Sequence, residues 1–186
     1  MSIIAYLGST VKEYGEKGKT MLLALEICCP NHPAKILAFH STYTRTIKET
    51  GEKAVIHILI CHKCGYSTSV LPDFLLPNKH YSANEVESVI MQAADGVGVY
   101  DTDTNASVST VRRWLGEWCS EGGKLQKSVN RLKMLAYSQG CAVSEIILAD
   151  LPLIEQLKEF VYALPKIHFS GNLLGFAGIY LPGSSP

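Results

Sequence analysis

The sequence predicts an α+β protein, with a small β-hairpin unit in its first part and an all-helical region after it. Two runs rich in Ile, Thr, Tyr and Val, residues 34–47 and 53–60, flank a loop that contains Gly51, which is typical of a β-hairpin. From Tyr81 onward, apolar residues recur at helical spacing instead. A segment bracketed by prolines, residues 71–77, separates the two patterns and is unsuited to a long helix.

The elements outside the hairpin are predicted from shorter patterns. Before the hairpin, a polar stretch with two glycines precedes an apolar run over residues 21–27, which predicts a strand. After it, Ser82 and Glu85 have the spacing of a capping box, and the helix that they begin ends at Gly96. Further helices are predicted over residues 99–104, 107–119, 125–138, 143–149 and 152–163.

These patterns divide the chain into three predicted parts. Residues 1–77 form an N-terminal extension and the β unit, residues 78–121 a helical region, and residues 122–186 a C-terminal helical segment with an apolar tail. Neither end has an export signal or a segment suited to span a membrane, because no basic region precedes the first apolar run and the tail is short and interrupted by glycines. We therefore expect a cytoplasmic protein without membrane contact.

The charges cancel over the whole chain but not within it. Lys and Arg number 17, Asp and Glu also number 17, and 47% of the residues are hydrophobic, which excludes a disordered chain and a uniformly basic nucleic-acid binder. Residues 31–66 carry a net charge of +3, residues 82–104 of −5 and residues 105–133 of +4. Two separated segments are thus basic enough to face phosphates.

Two cysteine-containing turns have the spacing of metal ligands. Cys29 and His32 form a first knuckle, Cys61 and Cys64 form a second, and 28 residues lie between them. Zinc takes about four sulfur or nitrogen ligands in a tetrahedron, and a hairpin between the knuckles would bring the pairs together. The sequence therefore predicts a Zn²⁺ site in a zinc ribbon that is too thin for a core of its own and is stabilised by the metal. Gly65, directly after the second knuckle, suits a turn with positive φ.

The sequence leaves alternatives open at this cluster. His32 stands where such sites usually have cysteine, and four neighbours are alternative ligands: Cys28, His40, His57 and His62. Cys61 and Cys64 also have the spacing of a redox pair, although no βαβ pattern surrounds them. A metal-free cluster with buried cysteines is the third possibility. The two isolated cysteines are predicted to be core thiols: Cys119 and Cys141.

Residues 105–115 are typical of a turn followed by a DNA-recognition helix. The tryptophans of this helix lie on its apolar face and are interpreted as core, while hydroxyl and guanidinium groups on the other face suit phosphates and guanine edges. The alternative is an ordinary core helix with a solvated basic face. The predicted DNA-binding residues are Ser109, Thr110, Arg112 and Arg113 on this helix, with Lys35, Arg45, Lys48 and Lys53 on the hairpin.

Several of these segments together resemble a known family. They are, in chain order, Cys29-Pro30, Cys61-x-x-Cys64-Gly65, the proline-bracketed segment with His80-Tyr81-Ser82, and Ser109-Thr110-Val111-Arg112-Arg113-Trp114. Over roughly residues 25–120 the chain resembles an uncharacterised bacterial domain family found in proteins linked to transposons and insertion elements. The resemblance implies a zinc ribbon followed by a helix-turn-helix, as in the DNA-end-binding region of transposases. His32 departs from the family pattern, which usually has Cys, and the family has no assigned reaction.

We therefore expect a non-enzymatic, zinc-dependent DNA-binding protein that acts as a transposase accessory or regulator. Only 66 residues follow residue 120, too few for a mixed-sheet nuclease with two metal ions, so neither catalysis nor a small-molecule substrate is expected. Duplex DNA is the predicted partner, and the C-terminal helices are predicted to pack or to form a homodimer. The alternative is a zinc-ribbon protein–protein interaction module without DNA binding, whose apolar tail docks a partner.

Overall fold

The structure is a computed structural model. It describes residues 2–8 and 10–120, with isolated positions beyond them: 123, 126, 129–130, 151, 153 and 155–156. The fold is mixed α+β, as the sequence predicts. The elements are β1 (Ser2–Ala5), α1 (Val11–Ala24), β2 (Cys28–Cys29), β3 (His32–Ile36), β4 (Ala38–Thr46), β5 (Lys53–Ile60), β6 (Ser67–Pro72), α2 (Ala83–Ala94) and α3 (Val108–Cys119). The chain divides into two compact units, and the second begins at Asn84.

A four-stranded sheet in the order β1-β6-β5-β4 forms the frame of the first unit. β4 and β5 pair antiparallel from Thr46↔Lys53 to Ala38↔Ile60, which confirms the predicted hairpin. The first predicted run, residues 34–47, is longer than β4, because the strand is interrupted at Leu37. The residues before Leu37 belong to β3, which pairs with β2 in a separate two-stranded sheet. β1 joins β6 in parallel, a pairing that the sequence patterns do not predict.

The expectation of a strand over residues 21–27 is wrong, since most of that run belongs to helix α1. Thr10 caps the helix by accepting a hydrogen bond from the Glu13 backbone N–H at 3.1 Å. Helical spacing places Tyr14, Gly18 and Leu22 on the buried face. The helix is followed by Glu26, whose positive φ of 46° turns the chain toward β2, a task that glycine usually performs.

The proline-bracketed segment, residues 71–77, belongs to the core of the first unit. Residues 71–76 are all buried, and the prediction that they form no long helix is consistent with the structure, where a strand end and a turn occupy them. The Phe74 ring meets the Tyr14 ring edge to face at 6.0 Å. The Arg45 guanidinium donates to the Leu76 carbonyl at 2.7 Å, so a buried side chain of β4 is hydrogen-bonded to the backbone of this segment.

The second unit contains α2 and α3. The predicted helix after Ser82 is confirmed, and Gly96, with φ +86°, follows its end. The Ser82 backbone N–H, which a capping box would bond to Glu85, instead donates to Glu49 Oε1 at 2.7 Å. The Glu85 carboxylate accepts from the Thr104 hydroxyl and the Asn105 backbone N–H.

The connection between the two helices differs from the prediction. Residues 99–104 form a turn and irregular backbone rather than a helix, so residues 95–107 separate α2 from α3. A helix-turn-helix joins its helices by a turn of about three to four residues. The tight helix-turn-helix is therefore not confirmed, although α3 itself begins and ends as predicted.

The predicted helices over residues 125–138, 143–149 and 152–163, and the apolar tail, lie outside the described residues apart from isolated positions. Within the part of the chain that the structure does describe, no helix has both the length and the hydropathy to cross a bilayer.

Two glycines of α1 give a matched test of packing. A Cβ at Gly18 would lie 2.6 Å from Tyr14 Cε2, whereas one at Gly15 meets nothing within 4 Å. The Tyr14 ring cannot move aside easily, because its hydroxyl donates to the Val55 carbonyl at 2.8 Å. We expect Gly18→Ala to lower the free energy of unfolding by about 1–3 kcal/mol. Gly15→Ala should raise it by up to about 1 kcal/mol.

Chemical denaturation of both variants and the wild-type protein measures this difference. Equal effects of the two substitutions would show that packing of the Tyr14 ring does not depend on the absence of a Cβ at Gly18.

Candidate metal centre

Both knuckles lie in turns at the end of paired strands. The first is the turn Pro30-Asn31 between β2 and β3, where the register pairs Cys29 with His32. The second follows β5, which ends directly before Cys61. In this second turn the Gly65 backbone N–H donates to the Cys61 carbonyl at 2.8 Å, and φ at Gly65 is +71°, which confirms the predicted positive φ.

The structure brings together the four predicted ligands. One candidate ligand atom from each of Cys29, His32, Cys61 and Cys64 lies within 4.8 Å of all the others, so this cluster can hold a metal ion. The Sγ atoms of Cys29 and Cys64 are 3.7 Å apart, and His32 Nδ1 is 3.9 Å from the Sγ atoms of both Cys29 and Cys61. Zinc–sulfur bonds of about 2.3 Å in a tetrahedron imply sulfur–sulfur separations of about 3.8 Å. The spacing therefore suits four-coordinate binding.

Backbone N–H groups lower the pKa of the Cys61 thiol and only partly offset the effect of burial on the pKa of Cys29. Burial raises the pKa of the Cys29 thiol, and hydrogen bonds from the backbone N–H groups of Asn31 and His32 oppose that effect. At Cys61 burial also acts to raise the pKa, but it is outweighed by the backbone N–H groups of Cys64 and Lys63 and by the neighbouring thiols, so the pKa is about 6. The first cysteine of each knuckle thus receives two N–H donors from its own turn, an arrangement that stabilises negative charge on sulfur.

The four ligands differ in their exposure. Cys29 and Cys61 are 1% and 2% exposed and belong to the hydrophobic core of the first unit. His32 is half-buried, and Cys64 is exposed. The cluster therefore lies at the edge of a packed core, which is a correction to the expectation of a thin ribbon without one.

The alternative ligands lie elsewhere. Cys28 is exposed and its Sγ contacts the Glu26 carbonyl oxygen at 3.6 Å, while His40 and His62 are exposed. His57 is buried between the rings of Tyr14 and Phe39. Among the described residues, the cluster of Cys29, His32, Cys61 and Cys64 is the one group of three or more such side chains that converges enough to hold a metal. Of the two isolated cysteines, Cys119 is exposed, so its assignment as a core thiol is wrong, and Cys141 lies outside the described residues.

Helix α3 carries four of the predicted DNA-binding residues. Ser107 caps it by accepting from the Thr110 backbone N–H, and Ser109, Arg112 and Arg113 are exposed while Thr110 is half-buried. The tryptophans are buried as predicted. Tyr100, which no sequence motif indicates, is 75% exposed and accepts a hydrogen bond from Arg112 at 2.6 Å, with the guanidinium 5.2 Å from its ring centroid.

The predicted basic residues of the hairpin region do not share one environment. Lys35, Lys48 and Lys53 are exposed, and Lys48 lies over the Tyr81 ring at 5.6 Å. Arg45 is only 9% exposed, and its guanidinium bonds the Leu76 carbonyl, so that charge stabilises the first unit rather than being presented on its surface.

Comparison with known proteins places the cluster within a defined domain. Residues 28–114 match a family described as a domain of unknown function, DUF6431. The match begins at the first knuckle and ends within α3, so it covers the four clustered ligands and all four DNA-binding residues predicted on α3. No curated protein and no solved structure shows significant similarity to the chain.

The buried imidazole of His57 gives a pH-dependent contribution to stability. Burial, followed by the nearby charge of Lys19, lowers the pKa of His57, and its Nδ1 has no hydrogen-bond partner among the described residues. An unfolded histidine has a pKa of about 6.5. Below that pH the unfolded chain binds a proton that the folded protein does not, so stability falls as the pH decreases toward the lowered pKa.

We expect His57→Gln to lose less unfolding free energy than the wild-type protein between about pH 7.5 and pH 5.5. Denaturant unfolding at both pH values measures it, and titration of the metal ligands affects both proteins alike. His40→Gln, at an exposed position on β4, is the control for the loss of an imidazole. An unchanged pH dependence in His57→Gln would contradict the prediction.

Proposed function

We propose that the protein binds one structural Zn²⁺ ion and uses helix α3 to bind duplex DNA. The observation that carries the first part is the convergence of three thiols and one imidazole nitrogen at tetrahedral spacing. Sulfur and imidazole ligands in a tetrahedron favour zinc among the common divalent ions, whereas magnesium and calcium prefer oxygen.

A structural role follows from the ligand count. Four protein ligands fill a tetrahedral zinc ion, and a catalytic zinc keeps one position for water or substrate. The ion would supply cross-linking and charge neutralisation, joining the β2–β3 turn to the turn between β5 and β6. We therefore propose a non-enzymatic protein. Its zinc site requires reduced thiols, which are typical of the cytosol.

The DNA-binding part of the proposal rests on the exposed face of α3. This face presents Ser109, Arg112 and Arg113 near the start of a capped helix, and the buried face holds the helix on its own core through Val111, Trp114 and Trp118. Guanidinium groups in this position suit phosphates and guanine edges in a major groove. The exposed lysines of the first unit, Lys35, Lys48 and Lys53, are proposed as separate backbone contacts.

This combination supports an accessory or regulatory role of the kind found in transposon-associated proteins, as the resemblance of the sequence suggests. Arg112 lies over the ring of Tyr100, so its guanidinium is already oriented before DNA binds. This reduces the conformational entropy that the side chain loses when it contacts DNA.

Metal analysis tests the zinc site. We expect one zinc per purified chain, and loss of the metal in Cys29→Ser, Cys61→Ser and Cys64→Ser, because each substitution removes a thiolate ligand. His32→Cys should keep the metal, since cysteine is an equivalent ligand in this turn. Cys28→Ser is the matched control, because Cys28 neighbours a ligand in sequence but contacts the Glu26 carbonyl oxygen. A wild-type protein without metal would refute the site, and so would retention in Cys29→Ser with loss in Cys28→Ser.

Salt-dependent DNA binding tests the role of α3. In zinc-loaded protein we expect Arg113→Gln to weaken binding to duplex DNA and to reduce the slope of log affinity against log salt by about 0.9, as for one lost phosphate contact. Lys12→Gln removes the same charge from an exposed position on α1 and should leave the slope unchanged. Fluorescence anisotropy over a series of salt concentrations gives both slopes.

Zinc-loaded protein without detectable affinity for mixed duplex DNA at low salt would overturn the DNA-binding proposal. The zinc site would then belong to a protein-interaction module, the alternative that the sequence leaves open.

A further inference from the structure

Asn31 contacts the metal cluster through both its backbone and its side chain. Its backbone N–H bonds the Cys29 sulfur within the first knuckle. Its side-chain Nδ2 donates to Cys64 Sγ, the exposed thiol of the second knuckle, at 3.7 Å. Asn31 thus donates one hydrogen bond to a predicted ligand of each knuckle.

The net charge of the metal-bound site explains why an additional N–H donor would stabilise it. Three thiolates and a neutral imidazole around a divalent ion leave a net charge of −1, which N–H donors stabilise. Cys29 and Cys61 each receive such donors from the backbone of their own turn. Cys64 is the exposed ligand, open to protons and electrophiles from water, and it receives the Asn31 amide.

A left-handed backbone does not account for asparagine at this position. Asparagine tolerates positive φ in turns better than most residues, but the described non-glycine residues with positive φ are Glu26 and Asn78. Asn31 is also exposed, so it fills no space in the core. The hydrogen bond to sulfur is the contact in which its side chain takes part.

We propose that Asn31 is a positioning residue for the metal site, whose amide holds Cys64 in place and stabilises its thiolate in the zinc-bound protein. This inference rests on the proposed zinc site. The amide supplies an N–H donor that shields the outermost ligand and orients its side chain toward the ion. Donors of this kind outside the ligand shell typically change metal affinity by about 10–100-fold.

The experiment compares Asn31→Asp with Asn31→Gln in the full chain. Aspartate keeps the size of asparagine but places carboxylate oxygens against the thiolate, so zinc affinity measured by competition with a chromophoric chelator should fall by about 10-fold or more. Glutamine keeps the amide donor and should restore most of the affinity. His62→Gln, at an exposed position in the second knuckle, is the control and should bind zinc as the wild-type protein does.

A second readout separates positioning from general loss of structure. Alkylation of the zinc-loaded proteins, followed by mass spectrometry, should show faster modification of Cys64 in Asn31→Asp, with Cys29 and Cys61 reacting as in the wild-type protein. General unfolding would expose all three cysteines together and would overturn the inference.

The two proposals fail in different ways. A wild-type chain that binds no zinc refutes both the site and the role of Asn31. A wild-type chain that binds zinc, together with an Asn31→Asp variant of equal affinity and equal Cys64 reactivity, refutes the role of Asn31 alone.

Discussion

Strand β5 is the element on which the first unit depends. It pairs with β4 on one side and with β6 on the other, and its Val55 carbonyl accepts the hydroxyl of Tyr14 from α1. Its C-terminal end leads directly into Cys61. The register of this one strand therefore determines where the second knuckle lies, and a slip by one residue would turn Cys61 away from Cys29.

The cluster and the core of the first unit support each other. Cys29 and Cys61 belong to the same cluster of buried side chains as Ile27, Leu37 and Leu71, so core packing holds these two cysteines in place. His32 and Cys64 complete the cluster from the solvent side. A site of this kind needs no rearrangement of its buried half on metal binding, because the core has already fixed it.

Local patterns explain which features the sequence predicts. The β4–β5 hairpin and the extent of α3 depend on residues that are close together in the chain, and the structure confirms both. It also brings the four knuckle residues together. Helix α1 was missed because Gly18 resembles a loop residue, although the Tyr14 ring occupies the space beside it. The β1–β6 pairing joins Ser2 to Ser69, which no local pattern reveals. The contact of Asn31 with Cys64 was missed for the same reason, since it joins residues from different knuckles.

The separation of the two knuckles has a consequence for the order of folding. Because the rest of β3 and all of β4 and β5 lie between His32 and Cys61, each knuckle can offer only two ligands until these strands have paired. Closing a loop of this length around an ion before pairing costs chain entropy that the hairpin would otherwise remove. Tight uptake of a metal would therefore be a late event in the assembly of the first unit, and its rate would report on formation of the β4–β5 hairpin rather than on the encounter of ion and thiol.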